Sequence, residues 1–111
     1  MQEYRVWCKN KQEYEKHAHF LDQHGQLWKI IAGNLQAVRE ETHIVEWCTG
    51  LTDKHGDKIF ESDKVRAESG EVAIVVFKEG AFLLERQNGE LAFMVGECIK
   101  RIGNVHDRSE E

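Results

Sequence analysis

Apolar and β-branched residues along this chain come in short runs, and nowhere do they hold a 3.6-residue period through four helical turns. The runs are broken by Asp22-Gln23-His24-Gly25, Gly33-Asn34, Asp53-Lys54-His55-Gly56, Ser69-Gly70, Glu79-Gly80, Asn88-Gly89 and Gly103-Asn104. Breaks about every 8–12 residues, with β-branched and aromatic residues between them, predict a mainly β fold. Proline is absent, so Gly, Asn, Asp and Ser must build every turn.

The second half is the more regular. Lys64-Val65-Arg66-Ala67 is a short strand, and Val72 to Phe77 is a continuous apolar run of strand length. Such a run predicts a strand covered on both faces or lying at the centre of a barrel. Lys78-Glu79-Gly80 turns it into Ala81–Glu85, and Asn88-Gly89 reads as a tight hairpin with both central residues at positive φ. Leu91 to Val95 is a return strand or a turn of helix, and Cys98–Ile102 leads to a last strand around Val105. Five short antiparallel strands suit a small, partly open SH3-like β-barrel over residues 49–107, with 108–111 as a frayed tail.

Residues 1–48 read as an N-terminal β-rich (α+β) subdomain. Tyr4–Cys8 and His43–Cys48 are strands, and Phe20-Leu21 with Gln26–Ile31 make a hairpin around an Asp-x-x-Gly turn. Residues 9–18 are a polar loop or one helical turn, and Gln36 to Glu41 reads as a short helix.

With 111 residues, 41% hydrophobic, the chain is long enough for one core or two small ones. Cys8, Cys48 and Cys98 are odd in number and widely spaced. That fits free thiols in a reducing cytoplasm, with Cys48 and Cys98 as core residues. No apolar run approaches membrane-spanning length. Charge is uneven: residues 1–45 carry six acids and six bases, whereas 46–111 carry fourteen acids against nine bases. Nucleic-acid binding needs a basic stripe, and the linear sequence supplies none, leaving only a basic face assembled in three dimensions.

Candidate chemistry is sparse. Asp53, Asp57, Glu61 and Asp63 invite a calcium loop, but an EF-hand needs Gly at its sixth position, and counting from Asp53 that position is Lys58. Asp53 is better read as the first residue of a type I turn, accepting backbone N–H groups, with Gly56 at the fourth position. Glu61 and Asp63 form a bend, since nothing near them supplies a nucleophile or oxyanion hole. His17, His19 and His24, with Cys8, suggest zinc, yet no recurrent ligand spacing is present, and polar-loop histidines are the simpler reading. No metal, cofactor or catalytic residue is expected. Trp7, Trp28 and Trp47 are the interaction candidates: whichever is exposed is the best anchor for a partner or subunit.

The stretch Thr49-Gly50-Leu51, Asp53, Gly56, Ile59, Glu61, Asp63, Val65 resembles the central motif of the YopX family of phage and prophage proteins. Tyr4-Arg5-Val6-Trp7 is similar to that family's first strand, and Ile102-Gly103-Asn104-Val105 to its closing strand. Ser62 and Cys8 depart from the pattern, which usually has Gly and an acid there; Ser is tolerated in the bend provided positive φ is not required. The resemblance implies a β-rich N-terminal part, an SH3-like barrel, self-association and origin in a mobile element, and it implies no enzyme. The expectation is therefore a non-enzymatic, cytoplasmic, homo-oligomeric binding protein whose partner is a host protein, without nucleic acid or membrane. A nucleic-acid-associated barrel and a small-molecule-sequestering oligomer are the alternatives.

Overall fold

The computed structural model describes residues 3–107; the expected tail at 108–111 lies outside the described residues. In chain order the strands are β1 (Tyr4–Cys8), β2 (Glu13–Tyr14), β3 (Ala18–Leu21), β4 (Leu27–Ile31), β5 (Asn34–Ala37), β6 (His43–Thr52) and β7 (Lys58–Phe60). They continue with β8 (Asp63–Ala67), β9 (Val72–Lys78), β10 (Ala81–Arg86), β11 (Leu91–Phe93) and β12 (Ile99–Asn104). The single helical turn among the described residues is a 3-10 turn at Gly96–Cys98. The protein is mainly β.

Arg5–Val45 forms one compact unit, and the chain from Glu46, joined by the segment up to Tyr4, forms another. In the first, β3, β4 and β5 make a meandering three-stranded sheet, and β1 pairs antiparallel with β2. In the second, a curled five-stranded sheet runs in the order β11-β10-β9-β8-β12. Its inner face carries the core: Val65, Ala73, Val75, Leu84 and Ile99, closed by Ile59 from β7. Each Val, Leu or Ile among them contributes roughly 1.5–3 kcal/mol by leaving water.

Hairpin geometry here repeats one device. At Asp22–Gln26, Asp53–Asp57, Ala67–Glu71 and Arg86–Glu90 the first residue's N–H donates to the fifth residue's carbonyl. In each, the fourth residue, always Gly, donates back to the first residue's carbonyl. That Gly sits at φ 83°, 88°, 94° and 89° respectively. This is a type I turn closed by a left-handed residue, which re-aims the chain into the returning strand. Asn88-Gly89 therefore differs from the expected two-residue turn. Only Gly89 is left-handed, and Asn88 instead accepts the Glu90 N–H on its Oδ1 at 2.9 Å. Two-residue turns with both φ values positive occur at Ala32-Gly33 and Glu79-Gly80.

Several expectations are corrected. The helix over Gln36 to Glu41 is absent: Gln36 lies opposite Lys29 in β5. Six residues make fewer than two turns and offer too little to offset helix nucleation, whereas the Ala32-Gly33 turn delivers the chain directly alongside β4. Residues 9–18 hold β2 and the start of β3. Leu91–Phe93 is a strand, and the last strand is Ile99–Asn104, with Val105 beyond it in a turn. The run Val72–Phe77 is central in its sheet but covered on one face only: Ala73 and Val75 are buried, whereas Ile74 and Val76 are half-buried and Phe77 is exposed. Cys98 is exposed on the 3-10 turn, and the buried thiols are Cys8 and Cys48.

Candidate interaction site

The three tryptophans take different places. Trp7 is buried and meets Tyr14 edge-on, with ring centroids 4.9 Å apart. Trp47 is half-buried and tilts against Tyr4 at 5.4 Å. Trp28, also half-buried, stands on an apolar sheet face. Alternation along β3, β4 and β5 puts Ala18, Ile30 and Leu35 in one cross-strand row and Phe20, Trp28 and Ala37 in the next. All six are apolar, and five are exposed, led by Leu35 at 59% with Phe20 and Ile30 each at 39%. The Trp28 ring is pinned, because its Nε1–H donates to Asp22 Oδ2 at 3.1 Å. That bond, with backbone N–H groups from Gln26 and His24, holds the Asp22 carboxyl below the usual carboxylate range.

The opposite face of the same sheet is polar and partly sealed. Glu15, whose side chain is 2% exposed, accepts Lys29 Nζ at 3.0 Å and the ring Nδ1 of His17 at 2.8 Å. His43 Nε2 lies 3.4 Å from the same carboxylate. Burial pushes Glu15 upward, but the hydrogen bonds from His17 and Lys29 outweigh it and hold the carboxyl well below its usual range. Burial also depresses His19, opposed by the Glu15 charge. Sequence reasoning passed over Glu15 entirely, because two of its three partners, Lys29 and His43, come from distant strands. His24 sits in the Asp22 turn, and Cys8 is buried in β1. Among the described residues no three His, Cys, Asp or Glu side chains converge in a metal-holding arrangement.

The segment Thr49–Val65 runs from the end of β6 through β7 into β8. Gly50, at φ 87°, falls where the β6–β7 register shifts, and Thr49 Oγ1 donates to the Ile59 carbonyl at 2.9 Å while accepting the Leu51 N–H. Leu51 is exposed. Asp53 is buried. Its Oδ1 accepts the N–H of His55 and Asp57, and its Oδ2 accepts that of Arg101 in β12. Burial would raise the Asp53 carboxyl; these backbone donors outweigh it and lower it. Gly56 closes that turn.

Glu61 and Asp63 do not face a common reactant. Glu61 Oε1 accepts the Trp47 N–H at 2.9 Å, while Asp63, fully buried, accepts the Phe60 N–H at 2.7 Å and lies 3.2 Å from Arg101 Nε. Ser62 between them has φ 71°, so the position does demand the left-handed conformation, contrary to the expectation that Ser is comfortable there. It is held by its own N–H on the Val75 carbonyl and by the Val105 N–H on its carbonyl, both at 2.8 Å.

Gly103 and Asn104 end β12. Asn104 Oδ1 accepts the His106 N–H, and His106 Nε2 lies 2.6 Å from Glu46 Oε2, a buried carboxylate. The arrangement is one of carboxylates satisfying backbone donors.

Two solved structures share this fold. The yopX protein of Bacillus subtilis matches at a TM-score of 0.63 with 21% identity, covering 96% of this chain and 94% of that one. Protein EF1440 from Enterococcus faecalis matches at 0.67 with 18% identity and the same coverage. No curated protein sequence matches the chain. The family model described as YopX protein matches residues 3–111, and on that full-length match the chain belongs to the YopX family.

Proposed function

We propose that this chain is a non-enzymatic binding protein that self-associates through the apolar face of its three-stranded sheet. Its setting is the cytoplasm of a cell whose phage or prophage encodes it, and its further partner is a host protein. The five-stranded sheet serves as a partly open, SH3-like scaffold. The observation that carries the reading is the exposure of Phe20, Ile30 and Leu35 around a ring-pinned Trp28. A contiguous apolar patch of this kind marks an interaction surface, and rigid Trp is the commonest anchor. None of the six positions is charged, so a second copy covers the face without desolvating an ion.

Native mass spectrometry of the freshly purified protein tests this. The wild type should be oligomeric, and the double variant Ile30→Lys/Leu35→Lys should shift to monomer with an unchanged circular dichroism spectrum. A wild type that is monomeric at every concentration, or a double variant of unchanged mass, overturns the reading. The same spectra report a retained small molecule, which would favour a sequestering role.

A further inference from the structure

The unit that contains the five-stranded sheet has surplus acid, fourteen carboxylates to nine bases over residues 46–111. Half of its eight described cations are engaged: Lys58 with Glu3, Lys78 with Glu85, Arg86 with Glu71 and Glu90, and Arg101 with Asp63. Among the described residues Lys64, Arg66, Lys100 and Lys54 have no carboxylate in reach. Three of those four share one face. Lys64 and Arg66 are two apart on β8, and Lys100 is directly opposite Arg66 on β12. Val65, between the first two, points into the core, so the three cations project outward together.

Beside them lies an aliphatic row. Ile74 is opposite Lys64 and Val72 opposite Arg66, and Ile102 stands exposed on β12. With Lys64 and Arg66 these residues line an open cleft of 660 Å³ that continues to Glu85, Arg86 and Gln87. Glu85 is paired with Lys78 and Arg86 with Glu71 and Glu90, and Lys100 lies outside the lining. Cations without partners, collected on one face of an otherwise acidic unit beside aliphatic side chains, describe a receptor for a ligand with acidic and aliphatic groups. Neighbouring cations stand about 5 Å apart across the strands and about 6.8 Å apart along β8. The second spacing is that of alternate side chains in an extended peptide.

We infer that the outer face of β8, β9 and β12 binds an extended protein segment carrying alternating acidic side chains with aliphatic flanks. A nucleic-acid strand fits less well. The cleft floor is aliphatic and offers no ring for bases to stack on, and of the cations lining it, Lys64, Arg66 and Arg86, the last is already paired with carboxylates. The surrounding surplus of carboxylates repels a long polyanion. The site uses different strands from the apolar face of the three-stranded sheet, so the two readings stand or fall separately.

The test uses the whole protein and fluorescence anisotropy with a short labelled peptide of alternating glutamate and valine. Controls are a glutamine–valine peptide of equal length and a single-stranded oligodeoxynucleotide. The glutamate peptide should bind and weaken with salt. Arg66→Glu and Lys100→Glu should each weaken it about tenfold or more. Lys54→Glu, which removes an unpaired cation in the Asp53 turn, should leave it unchanged. Urea midpoints confirm that each variant is folded. Equal binding of the glutamine peptide, insensitivity to Arg66→Glu and Lys100→Glu, no binding at all, or tighter binding of the oligonucleotide each overturns the inference.

Discussion

The Asp53 carboxylate accepts the backbone N–H of Arg101 at 2.8 Å across 48 residues of sequence. In return, the Lys54 N–H donates to the Ile99 carbonyl at 3.0 Å. A hairpin loop is thereby fastened along β12, which lies at the end of the five-stranded order. Part of an edge that would otherwise offer free donors and acceptors to another chain is occupied.

This bond separates two chemically matched turns. Asp22 and Asp53 each start an Asp-x-His-Gly loop and each accept two loop N–H groups. Asp53 is 5% exposed and also serves a donor from another strand, so Asp53→Ala should cost about 3 kcal/mol. Asp22→Ala should cost less, because water reaches its loop donors, though it also releases the Trp28 Nε1–H. Asp57→Ala, at an exposed position, should stay within about 0.5 kcal/mol. Urea unfolding of the three variants checks the order.

Acid should unfold the protein progressively. Glu15, Asp22 and Asp53 all have carboxyls lowered in the folded state. A depressed carboxyl contributes its full stability above its unfolded value, about 3.9 for Asp and 4.3 for Glu. It loses that contribution as pH falls through the lower folded value. His19 is also depressed, so its contribution is complete above about 6.5 and declines as pH falls below that. Urea midpoints measured from neutral pH downward should fall in both windows. Asp53→Asn should flatten the lower one, and an unchanged slope in that variant would refute the assignment.

Ser62 is strained where the family pattern usually has glycine. A left-handed L-residue costs about 1–2 kcal/mol, and glycine gives back about 0.5–1 kcal/mol through its looser unfolded chain. Ser62→Gly should therefore stabilise by about 0.5–1 kcal/mol, and Ser62→Val should destabilise further. Thermal melts of both suffice.

Two glycines should fail differently. Gly56 has φ 88° with open space where a Cβ would go, so Gly56→Ala carries backbone strain alone, about 1–2 kcal/mol, and Gly56→Val somewhat more. At Gly96 a Cβ would run into the Thr52 carbonyl oxygen, so one backbone segment must move, at about 3 kcal/mol or more. If Gly96→Ala proves milder than Gly56→Ala in urea unfolding, this packing is wrong.

The sequence by itself determined the local pieces. Short apolar runs and Asp-x-x-Gly turns placed strands at Tyr4–Cys8, Gln26–Ile31 and Val72–Phe77, each within a residue of the observed β1, β4 and β9, because turn chemistry and strand periodicity act over a few residues. The run Thr49 to Val65 pointed to the family. Tertiary structure decided the rest. Gln36 became strand because β4 was there to pair with it. The positive φ of Ser62 follows from the carbonyl of Val75 and the N–H of Val105, neither of them local. Glu15 became a buried hub through Lys29 and His43. The cations Lys64, Arg66 and Lys100, diluted among carboxylates in the linear chain, became one face only when β8 met β12. Contacts between distant residues depend on register, and register is set by the whole sheet.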